Sequence, residues 1–147
     1  MTELPLTLWA WLPSLIAQAP FDVPTLASVL QVQVLQREIH SGWTGGFSDG
    51  PVLLAHGVTI EEAFLRVSQR DPANAWALVL TMGGPCVPRA EVLRRHDGLE
   101  ITGHPRGGSL DEATTWSRSE PWGRLAFGFA ERRPDCLSSI LIAGPAW

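Results

Sequence analysis

The hydrophobic positions of this chain recur at two periods, and the switches between them mark its elements. In residues 6–18, Leu8, Trp11, Leu12, Leu15 and Ile16 have the spacing of one helix face, and Pro13 interrupts the run. A broken, two-piece helix packed on the core is expected there. Residues 26–39, "LASVLQVQVLQREI", change period midway. Leu26, Val29 and Leu30 after Pro24 suit a short helix, and the alternation of Leu30, Val32 and Val34 with glutamines predicts a strand from about 29 to 39. "HSGWTGGFSDG" (40–50) follows with four glycines, and "VLLA" (52–55) reads as the next strand. The glycine-rich stretch is therefore expected to be a hairpin loop that presents Trp43 and Phe47.

"TIEE" (59–62) has the form of a capping box, so a helix is expected to run to about Arg70 with Ala63, Phe64 and Val67 inward. "WALVLTM" (76–82) is a short apolar run that suits a central strand. Pro88 suits the first turn of a helix ending near His96, "LEIT" (99–102) alternates as a strand, and "SLDE" (109–112) is a second capping box opening a short helix. "RLAFGFA" (124–130) and "LSSILIA" (137–143) flank a polar turn and should form a C-terminal hairpin. These elements imply one α+β (or α/β) domain over residues 1–147, with a mixed, mostly antiparallel sheet of about five or six strands packed by helices.

Composition narrows the chemistry. Charged residues are only 18% of the chain, below the usual quarter, which suits a surface partly covered by a partner. There is no lysine and no tyrosine, which rules out a Schiff-base lysine, a P-loop lysine and a tyrosine general acid. The net charge of −4 disfavours general nucleic-acid binding. Cys86 and Cys136 form no CxxC motif; two buried free thiols are expected, with one disulfide as the alternative for an exported chain. The N-terminal apolar run carries Glu3 and no basic residue, and it is short and broken by proline. It is read as part of the fold of a cytoplasmic protein, with no membrane role.

Each candidate site stands beside an ordinary structural account. His96, Asp97, Glu100 and His104 are the only cluster of metal-ligand types, but the spacing is not that of a ligand set, and no metal or cofactor is expected. Cys86 stands between a strand and a helix N-terminus, where a thiol is activated, or where a small apolar residue simply packs. His40, Ser41 and Asp49 hold triad residue types, yet adjacent strand residues point to opposite faces. "HPRGGS" (104–109) offers backbone amides for an anion or is a loop ending in a cap. "WSRSEPWGR" (116–124) reads as an exposed loop rich in interface residue types. Trp43, Phe47, Trp116, Arg118, Glu120, Trp122 and Arg124 are therefore the candidate partner-binding residues.

The expected function is a non-catalytic protein-binding module. It is compatible with a bacterial immunity or adaptor protein that neutralises or chaperones a toxin or secreted effector. Two alternatives stay open. One is a small enzyme or ligand-binding protein using Cys86 and the loops at 83–88 and 104–108. The other is a homo-oligomer built through the N-terminal tryptophans Trp9 and Trp11.

Overall fold

A computed structural model describes residues 2–147, with side chains from Leu4 onward. In chain order the elements are β1 (Thr2–Glu3), α1 (Leu8–Ile16), α2 (Val23–Leu30), β2 (Val34–His40), β3 (Trp43–Ser48) and β4 (Val52–Leu53). After a short 3-10 turn come β5 (Thr59–Ser68), β6 (Trp76–Gly83), α3 (Arg89–Arg95), β7 (Glu100–Gly103), β8 (Ala113–Glu120), β9 (Gly123–Ala130) and β10 (Ser139–Ala143). The fold is a single α+β domain.

All the described strands join one open sheet. Its lateral order is β2-β3-β5-β6-β10-β9-β8-β7, antiparallel at every step. β4 lies antiparallel against the start of β5, and β1 pairs with β4 as the one parallel neighbour among the described strands. The last strand, β10, enters between β6 and β9 and fuses the two halves. The C-terminal hairpin is present as β9 and β10, but the sheet is larger than the five or six strands expected.

The extra strands come from segments whose patterns mislead. β5 occupies "TIEEAFLRVS", where a capping box and helix were expected. The register shifts between Ile60 and Glu62, a β-bulge, so Ile60 and Ala63 both face inward three residues apart and imitate a helix period. "HSGWTGGFSDG" is mostly strand as well: the β2–β3 turn is only Ser41–Gly42, and β3 begins at Trp43. "SLDE" is a turn before β8 rather than a helix; its serine Oγ accepts from the Asp111 amide in a local turn. "WSRSEPWGR" is the β8–β9 hairpin, not a loop.

The helices cover one face of the sheet. Thr7 caps α1 by accepting from the Ala10 amide, and Leu8, Trp11, Leu12 and Leu15 are its buried stripe. Pro13 lies within α1 on the exposed side, and the helix runs through it as one piece instead of breaking. Asp22 caps α2 by accepting from the Thr25 amide at 2.8 Å, and Leu26 and Leu30 are buried. Gly46 of β3 lets α2 approach: a Cβ there would lie 3.0 Å from a Val23 methyl and 3.2 Å from a Val34 methyl. The helix stripes and the inner strand residues Leu65, Leu78, Leu80, Phe127, Phe129, Ile140 and Ile142 form one core cluster. Burial of each such side chain contributes about 1.5–3 kcal/mol.

Cys86 and Cys136 are joined in a disulfide, in place of the two buried free thiols expected. Cys86 is exposed and Cys136 half-buried. Sequence spacing carried no sign of the pairing, because the entry to α3 and the β9–β10 connection meet only in the folded sheet. There Leu137 donates to the Val87 carbonyl at 2.9 Å and Arg89 donates to the Asp135 carbonyl at 2.8 Å.

Candidate functional site

Among the described residues no helix lies on the opposite face of the sheet, and its registers align side chains into rows that cross the strands. Directly opposed residues in antiparallel pairs share a face. One row runs Leu35–Phe47–Phe64–Val79–Leu141–Ala126–Ser117 across β2, β3, β5, β6, β10, β9 and β8. Its neighbour, two residues along each strand, runs Arg37–Gly45–Arg66–Ala77–Ala143–Arg124–Ser119. An apolar stripe thus lies beside a stripe whose side chains are three arginines separated by glycine and alanine. Leu35, Phe47, Phe64, Val79 and Leu141 all lie outside the core cluster, and Leu35 is 51% exposed.

The aromatic groups on this face are held by one another. Phe47 stacks on Phe64 with ring centroids 4.6 Å apart, and the Arg37 guanidinium lies 4.3 Å from the Phe47 centroid. Both faces of the Phe47 ring are therefore occupied. At the end of β3, Trp43 meets Trp147 edge-on at 5.4 Å. The Arg66 guanidinium lies 5.1 Å from the Trp147 ring and 5.6 Å from the Trp43 ring, and its Nη2 is 3.1 Å from His40 Nε2. Arg66 Nε is buried and has no hydrogen-bond partner. Two concavities adjoin Arg124: one of about 220 Å³ reaches Trp147, and one of about 520 Å³ is lined by Glu100, Thr102 and Ser117.

The seven expected partner-binding residues divide between the two faces. Trp43, Phe47 and Arg124 lie on the uncovered face. Trp116, Arg118 and Glu120 lie on the other, because they oppose Phe127, Leu125 and Gly123 of β9. Trp116 is half-buried against the core, and Arg118 is tied to the Glu120 carboxylate and to the Asp97 carbonyl. Trp122, in the β8–β9 turn, stacks on Trp76 at 6.4 Å. Leu35, Arg37, Phe64, Arg66, Val79 and Leu141 were missed. Their signal is period-two alternation: Leu35, Arg37, Val79 and Leu141 lie in expected strands, whereas Phe64 and Arg66 become legible only once β5 is recognised as a strand.

The other candidates are engaged within the chain. His96 sits between Trp9 and Phe127, with ring centroids 5.6 and 4.8 Å away. Burial, reinforced by Arg118 and Arg95 and opposed by Glu120, holds its pKa below the usual histidine value. Among the described residues, no three His, Cys, Asp or Glu side chains converge on one point. The amides of the 104–109 loop already hold an anion of the chain itself: the Arg106 amide donates to Glu112 at 2.7 Å. Glycine and serine amides of the loop join it, and together they hold the carboxyl below the ordinary glutamate range. His40 lies beside the start of β3 and Asp49 beyond its end, about 20 Å along the strand, so the triad types do not meet. The Cys86 sulfur is bonded to Cys136.

No helix among the described residues is long and apolar enough to cross a membrane. Comparison with protein-family models, with curated proteins and with solved structures returned no match, so the functional reading rests on the geometry of this face.

Proposed function

We propose that the protein is a non-catalytic protein-binding module whose partner covers the helix-free face of the sheet. The observation that carries this reading is the row from Leu35 to Leu141, a line of apolar side chains outside the core cluster. Leu35 is exposed and the other four are partly exposed, and a contiguous apolar line that reaches the surface marks association sites on soluble domains. The flanking arginines and tryptophans are the residue types enriched where binding energy concentrates. An immunity or adaptor role, with a toxin or secreted effector as partner, remains the biological form this module fits.

The disulfide supports an oxidising compartment for the module in preference to the cytoplasmic location first expected, because the reducing cytosol keeps thiols free.

Affinity capture from the native host tests the reading, with wild-type protein beside Leu35→Glu, a change at an exposed edge-strand position. A stoichiometric partner retained by the wild type and lost from Leu35→Glu is expected. A partner held equally by both would move the contact off this face, and recovery of no stoichiometric partner would count against a binding module.

A further inference from the structure

The structure assigns a chemistry to the partner: we infer that it is a protein surface carrying carboxylates in line with Arg37, Arg66 and Arg124, beside an apolar ridge. This rests on the helix-free face being the partner surface. The ion pairs among the described residues engage Arg89, Arg94, Arg95, Arg118 and Arg132. None engages an arginine of the transverse row, although the chain carries more acids than arginines. Arg37, Arg66 and Arg124 occupy positions one, three and six of that row. With strands about 4.8 Å apart, they stand about 10 and about 14 Å from one another. Gly45, Ala77 and Ala143 lie between them and are buried. Ile39 and Phe47 pack over Gly45, and Trp147 stands beside Arg66 and shares the concavity of Ala143 and Arg124. The exposed Arg37 and Arg124 are therefore the guanidiniums open to a carboxylate.

Charge complementarity selects this occupant over the others. The acids on this face, Glu61, Glu62 and Glu100, lie outside the arginine row: Glu61 packs over Gly83, Glu62 stands opposite Thr81 and Glu100 opposite Ser117. A second copy of the chain laid on the face brings three more arginines and no facing line of carboxylates. A single-stranded nucleic acid needs open ring faces for its bases. Here Phe47 is covered on both sides by Phe64 and Arg37, and Trp43 and Trp147 meet edge-on with the Arg66 guanidinium over both rings. Arg66 is partly exposed, and its guanidinium is braced by two tryptophan rings, which holds its charge in place within the row.

The test selects a phage-displayed random peptide library on the wild-type protein and measures the enriched peptides against two variants. The first is R37E/R124E, changed at two exposed side chains with no hydrogen-bond or ion-pair partner among the described residues; the second is Leu35→Glu. Thermal melting verifies that each variant folds. Peptides rich in Asp and Glu together with Leu, Val or Phe are expected, weakened at least about tenfold by R37E/R124E and by a rise from about 0.05 to about 0.5 M salt. Peptides lost on Leu35→Glu but without acidic enrichment would overturn the carboxylate inference and leave the face reading standing. Peptides indifferent to both variants, or no peptide that distinguishes them from wild type, would overturn both. Two further results would overturn it by naming another occupant: self-association abolished by R37E/R124E, or a thymidine oligonucleotide bound by wild type alone.

Discussion

Cys86 is bonded to Cys136 across 50 residues of sequence, and the bond fastens the entry of α3 to the connection between β9 and β10. Closing a loop of that size in the unfolded chain is worth about 4 kcal/mol by chain entropy, and native disulfides commonly deliver about 2–5. The double variant Cys86→Ser/Cys136→Ser should lose about 2–4 kcal/mol of unfolding free energy, lowering Tm by roughly 5–15 °C. The folded wild type should also give no reaction with a thiol reagent until it is reduced. An unchanged melting curve for the double variant would show that the neighbouring backbone pairing holds the two segments unaided.

Gly46 tests how α2 seats on the sheet. Its backbone has no positive φ, so alanine is conformationally allowed, and the cost comes from crowding against Val23 and Val34. Gly46→Ala should destabilise by about 1–3 kcal/mol, the range for overpacking a filled core. Adding Val23→Ala should restore part of that loss, giving a coupling measurable by a double-mutant cycle. Additive losses from the two changes would mean that α2 does not press on this glycine.

The helix-facing half of the fold was largely legible in the sequence, because its elements keep a clean period. The stripe of α1, the apolar run of β6, the proline opening α3 and the alternation of β9 all survive folding unchanged. β5 was not legible, since one bulge residue turned a step of two into a step of three. β3 was hidden by Gly45 and Gly46, which look like loop glycines but sit where Ile39 and Val23 press on the strand. The arginine row was beyond reach for a deeper reason. Arg37, Arg66 and Arg124 are brought into line by register across six strands, and register is not encoded in any local window.

Glu112 occupies the amides of the 104–109 loop that would otherwise cradle an external anion. Its carboxyl is held below the ordinary value of 4.5, first by the Arg106 amide, with burial opposing. A depressed carboxylate contributes order above its unfolded pKa and loses it as pH falls through the lower folded value. Glu112→Ala should therefore speed amide exchange at Arg106, Gly108 and Ser109 at neutral pH and leave the rest of the sheet protected. Acidifying the wild type below the ordinary carboxylate range should reproduce the effect. Unchanged exchange in the variant would mean that the loop is ordered by its glycine geometry alone.

His96 gives the protein a pH dependence in a higher window than any of its depressed carboxylates. Burial between Trp9 and Phe127 disfavours the imidazolium, and Arg118 and Arg95 add to that against Glu120. The unfolded chain takes up its proton near the ordinary value of 6.5, whereas the folded chain resists until a lower pH. Stability is complete above that ordinary value, falls as pH drops toward the folded pKa, and levels off below it. Asp22, Glu91 and Glu112 titrate below the ordinary carboxylate range and lose their contributions lower still. Thermal melts at about pH 7.5, 6 and 5 should therefore show a falling Tm for the wild type and a flatter profile for His96→Leu. The variant should overtake its own neutral-pH deficit as the pH is lowered, since it buries no group that must stay neutral. A pH profile for His96→Leu parallel to that of the wild type would assign the dependence to another group and leave His96 as packing alone.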